Sequence, residues 1–180
     1  MGCDIHMYVQ YRDKERTKED TKKGVKNDWW YDFGEGFSPG RNYTMFGVLA
    51  GVRDTPEDEG KGFEPKGIPD FGLGWGARSD LYLYITEDSI PGENCCTLED
   101  AQRWRRPIVN DSNGKPWYTE HPDWHSHSWM TIKELEQAYR WYKKATKYGP
   151  GLEYEVLLKT MKALEDGGKN EVIVVFWFDN

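Results

Sequence analysis

A carboxylate and an imidazole stand two residues apart in MGCDIHMYVQYR, as Asp4 and His6. Side chains alternate along an extended chain, so Asp4 and His6 share a face with Tyr8 and Gln10. Cys3, Ile5, Met7 and Val9 take the other face, which reads as core. Far downstream, HPDWHSHSWMT holds His121, His125 and His127, three of the four histidines. In an extended stretch His125 and His127 point the same way, a spacing found in metal sites. The segment precedes a helix N-terminus, where unpaired N–H groups and positive potential favour an anion. Arg41 and Arg53 bracket a short amphipathic segment between the two clusters. Guanidinium groups hold phosphate oxygens bidentately. Imidazole and carboxylate either act as general acid and base or bind a divalent metal that generates hydroxide.

The candidate catalytic residues are therefore Asp4, His6, His125 and His127, and the same four would ligate Zn or Mn if a metal is bound. Arg41, Tyr43, Arg53 and Ser128 are the candidate substrate-binding residues. Each also has a structural reading. Asp4 and His6 could tie down a strand end, and Ser126 or Ser128 could assist a helix cap. The two arginines could pair within an acidic surface. Cys3, on the core face, reads as a small hydrophobe rather than a nucleophile.

These residues need elements to position them. Residues 4–12 read as a strand, followed by the charged connection DKERTKEDTKKGVKND and a second strand at DWWYDF, together a long-looped hairpin. RNYTMFGVLAGVRD predicts a short helix with Asn42 as N-cap. Residues 54–80, rich in Gly and Pro, read as a long loop able to act as a lid through Phe63, Ile68, Phe71 and Trp75. LYLYIT alternates as a strand, Thr97 and Asp100 open a short helix to about Arg106, and IVNDSNGKPWY reads as a hairpin. Thr131 and Glu134 form a capping box for a helix to about Lys147, and a second helix spans roughly 152–166, stopped by Gly167-Gly168. EVIVVFWFDN is an unbroken apolar run, the pattern of a central strand buried on both faces. The expected fold is a single α+β domain over residues 1–180. Its mainly antiparallel or mixed sheet pairs the N- and C-terminal strands, with about four helices and the long Gly-rich loop.

MGCDIH, RNYxxF at Arg41–Phe46, LAxVR at Leu49–Arg53, GxP before Asp70, and HSHSW with TxxEL at His125–Leu135 resemble a family of uncharacterised proteins found largely in bacteriophage and prophage genomes. The resemblance implies that these residues matter but carries no established activity. This chain departs from that pattern at Phe71-Gly72-Leu73, and its stretch 75–120 looks inserted. A phage setting implies the cytoplasm of an infected bacterial host.

Composition narrows the function. A net charge of −7 argues against duplex DNA, whose binding rests on dense Lys/Arg contacts to phosphate. A small phosphorylated ligand needs only a local positive pocket. Aromatics at 15% leave rings beyond the core that can stack on a nucleobase. No apolar run is long enough to span a membrane, no signal peptide is predicted, and three cysteines form no disulfide framework. The expected activity is a small hydrolase or lyase acting on a phosphoester or nucleotide, including a host signalling nucleotide. The alternative is a non-catalytic binder that sequesters such a nucleotide against host defence. A homo-oligomer is compatible with either.

Overall fold

The computed structural model describes residues 2–24, 30–53, 61–66 and 125–179, and the backbone of four short segments between 83 and 118. Its main sheet has the order β2-β1-β8-β7, antiparallel throughout. These strands are β1 (Asp4–Asp13), β2 (Tyr31–Asp32), β7 (His125–Thr131) and β8 (Asn170–Asp179). β1 and β8 pair without interruption, from Asp4 opposite Asp179 to Asp13 opposite Asn170. The N- and C-terminal strands thus lie side by side, as the doubly buried run required. Four helices complete this part: α1 (Lys14–Lys22), α2 (Tyr43–Ala50), α3 (Ile132–Thr146) and α4 (Leu152–Glu165).

One face of the sheet meets the helices. Ile5, Met7 and Val9 of β1, Val174, Phe176 and Phe178 of β8, and Met130 of β7 form a core with Phe46 and Leu49 of α2 and Leu135 of α3. Tyr154, Leu157 and Met161 join from α4, their three- and four-residue spacing keeping them on one side of that helix. Burying each large apolar side chain contributes about 1.5–3 kcal/mol before entropy is counted. The opposite face is covered in part: Gln10, Ile173, Val175 and Trp177 are buried, while His6 and Tyr8 are half-buried.

Helix ends follow local chemistry. The Asn42 side chain accepts the Met45 N–H to start α2, and the capping box of Thr131 and Glu134 starts α3. Two expectations need correction. The charged connection after β1 is not simply a solvated linker, because α1 forms within it, capped by Asp13 accepting the Arg16 N–H. Its residues are good helix formers with no apolar stripe, so periodicity could not reveal it. Among the described residues of the expected strand DWWYDF, strand pairing is at Tyr31–Asp32, and the chain stays beside β1 as far as the Met7–Phe37 bridge.

A second sheet, of order β4-β3-β6-β5, is built from β3 (Leu83–Ile85), β4 (Cys95–Cys96), β5 (Val109–Asn110) and β6 (Pro116–Tyr118). It is mixed, with β3 and β4 parallel, and it contains the expected hairpin as β5 against β6. All four strands fall within the stretch singled out as an insertion. The expected helix at 97–106 lies outside the described residues. So does most of the loop 54–80, but Phe63 packs on Trp141 and donates its N–H to the Val48 carbonyl. No helix among the described residues is long and apolar enough to cross a membrane.

Candidate functional site

The antiparallel register brings the start of β1 against the end of β8, and Asp179 results as a residue the local motifs did not suggest. Its Oδ1 accepts the Asp4 backbone N–H at 3.0 Å, and its Oδ2 lies 2.9 Å from His6 Nε2. The His6 side chain remains about one-third exposed, at 34%. A carboxylate on one ring nitrogen fixes an imidazole's orientation. Asp179 could have been found from sequence only by pairing the two strands first, since it ends the alternation that also carries Val175 and Trp177.

Asp4 turns to Arg41 instead. The guanidinium donates Nε to Oδ1 at 2.6 Å and a terminal nitrogen to Oδ2 at 2.8 Å, the planar fork that suits a carboxylate. Hydrogen bonding from Arg41 holds the Asp4 carboxyl below its ordinary range. Arg41 passes so close to Gly2 that any Cβ there would overlap the guanidinium. Arg53 lies over the Tyr43 ring, 5.9 Å from its centroid, and also reaches the Cys3 thiol. Burial pushes that thiol up against the opposing pull of Arg53, so Cys3 is a buried, protonated group, as its place on the core face suggested. Arg53 adopts a left-handed backbone, φ 66°, which costs a non-glycine residue about 1–3 kcal/mol. Asp4, His6 and Arg41 meet where the start of β1 pairs with the end of β8, whereas Arg53, over Tyr43, reaches Cys3 on the core face.

The second histidine cluster is arranged differently. A β-bulge interrupts β7 between His125, opposite Phe178, and Ser128, opposite Phe176, with Ser126 left-handed at φ 52°. The regular alternation behind the expected common direction of His125 and His127 is therefore broken. The side chain of His125, and all of His121, lie outside the described residues. His127 stacks on Trp177 at 6.2 Å and is only 2% exposed. His6 stacks on the same indole at 5.7 Å, and Tyr8 at 5.6 Å. The two imidazoles thus contact one tryptophan, but only His6 has substantial exposure. Ser128 is buried and accepts the Lys66 N–H at 3.2 Å.

A cavity of about 430 Å³ adjoins His6, lined by residues 6–8 of β1 and by residues 34–38. Among the described residues, no three His, Cys, Asp or Glu side chains form a group able to hold a metal ion. Asp4 already meets Arg41 through both oxygens, so a divalent ion would have to displace a guanidinium to use it.

Compared with known proteins, the chain matches no family model, no curated protein and no solved structure.

Proposed function

We propose that the protein is a small phosphoester- or nucleotide-acting hydrolase or lyase whose general acid/base is His6. What supports this reading is the partly exposed His6 held 2.9 Å from Asp179, at the strand end where Arg41 pairs with Asp4. Asp179 is a positioning residue: it orients the imidazole through the contact at 2.9 Å. Arg41 meets the phosphate by exchanging Asp4 for phosphate oxygens, an exchange made feasible by the modest net worth of an exposed ion pair. Arg53 supplies the second guanidinium. His127 is enclosed, and its role is to pack Trp177 against the sheet.

The burial of His127 favours a second reading. Two exposed imidazoles would let one take a proton while the other gives one, and among the described residues only His6 is placed to do so. A protein that binds and sequesters a nucleotide needs the arginines and the cavity but no such exchange. The test is turnover of a panel of phosphomonoesters, phosphodiesters and cyclic nucleotides by the wild type and by His6→Gln. The enzyme reading expects turnover that falls about 10²–10⁴-fold in the variant with binding retained. Binding without turnover in the wild type would establish the sequestering reading instead.

A further inference from the structure

We infer that the cavity beside His6 is a ribose subsite, with Glu35 accepting the sugar hydroxyls, so that the ligand is a ribonucleotide. The inference rests on the reading of His6, Arg41 and Arg53 as a phosphoester site and specifies what lies on the other side of the phosphate.

Position is the first argument. Residues 34–38 are fastened to β1 by two reciprocal hydrogen bonds, Met7 N–H to the Phe37 carbonyl at 3.1 Å and Phe37 N–H to the Met7 carbonyl at 2.7 Å. Glu35 and Ser38 are thereby held beside His6, which itself lines the cavity. A group seated there touches the acid/base directly.

Charge is the second. The Arg41 guanidinium lies at Asp4, whereas the residues that line the cavity include Glu35 and no lysine or arginine. A second phosphate would be repelled. A neutral group rich in O–H donors would be welcomed, since a carboxylate only accepts and can take two donors at once. Acidic residues hold ribose hydroxyls in this way in other nucleotide sites.

Size and shape agree. A volume near 430 Å³ is more than a phosphate needs and lies within the range of small-molecule sites, roughly 300–1,000 Å³. Gly36 abuts the Tyr8 ring, and a Cβ at that position would stand 3.0 Å from Tyr8 Cζ. A larger residue there would push Tyr8 aside or fill the space itself.

The experiment is titration calorimetry on the full chain with inorganic phosphate, ribonucleoside monophosphates and their 2′-deoxy counterparts. Each ribonucleotide is expected to bind at least about ten-fold more tightly than its deoxy form. Glu35→Ala should bring that ratio close to one while phosphate affinity holds. Gly36→Val should weaken every nucleotide about ten-fold or more and leave phosphate unchanged. If Gly36→Val fails to fold by circular dichroism, Glu35→Ala decides alone. Equal affinity for ribo and deoxy forms, or a ratio that Glu35→Ala does not alter, overturns the ribose subsite. The phosphoester reading would survive that outcome if phosphate still binds and Arg41→Ala abolishes it. No binding of phosphate or any nucleotide would overturn both.

Discussion

His6 and His127 touch the same indole but answer to different constraints. His6 is partly solvated, so His6→Ala should change stability by no more than about 0.5–1 kcal/mol, the scale of surface substitutions and exposed ion pairs. His127 is packed from all sides, and His127→Ala should cost on the order of 2–5 kcal/mol, as emptying a large core site does. Thermal melts of the two variants check this directly, and equal losses would mean that His6 is a structural residue too. Asp4, His6, Tyr43 and the two arginines were legible in the sequence because alternation and helix spacing are local rules. Asp179 was not, because its relation to His6 exists only once two strands far apart in sequence have paired. The enclosure of His127 was hidden for another reason. One extra residue in β7 shifts the register, and no composition rule marks Ser126 as the place for it.

Between β7 and α3, Thr131 serves two elements at once. Its hydroxyl accepts the Glu134 N–H at 3.3 Å, and Glu134 Oε2 accepts the Thr131 N–H at 2.8 Å. Burial pushes the Glu134 carboxyl up, but hydrogen bonds from Lys66 and Thr131 outweigh it and hold the group below its ordinary range. A lowered pKa means that the folded state binds this proton less readily than the unfolded chain. The contribution is complete above the ordinary carboxyl range and is lost as pH falls below about 4 through the depressed value. Thr131→Ala should therefore cost about 1 kcal/mol near neutral pH, and the gap to wild type should narrow in acid. Denaturant melts at pH 7 and pH 3 measure both. This box was readable from TIKE alone, as was the cap of α2 from Asn42. The helix α1 was not, because a helix without an apolar stripe leaves no periodic trace.

Across the whole molecule, the α+β class followed from the contrast between an unbroken apolar strand and two capped helices. The second sheet was legible only as isolated pieces, LYLYIT and the hairpin at Asn113-Gly114, since strand order depends on partners that pattern does not name. The placement of charge carries a prediction of its own. With Asp4 paired to Arg41 and His6 to Asp179, the proposed reaction is expected to run without a metal. Treatment with a chelator followed by dialysis should leave turnover within about two-fold of the untreated protein. A loss that Zn or Mn restores would transfer the chemistry to a metal.

The pairing of β1 with β8 also sets a schedule. Asp4 and Asp179 are 175 positions apart, whereas α3 and α4 are neighbours joined by a short turn. Closing a long loop is entropically slower than zipping local helices, so the helical pair should assemble first and the β1–β8 seam late. During refolding from denaturant, far-ultraviolet helicity should return before the signal of Trp177, and turnover should return with the second. Because His6 meets Asp179 only across that seam, a half-folded chain has helices but no oriented imidazole, and the ring is fixed only on closure.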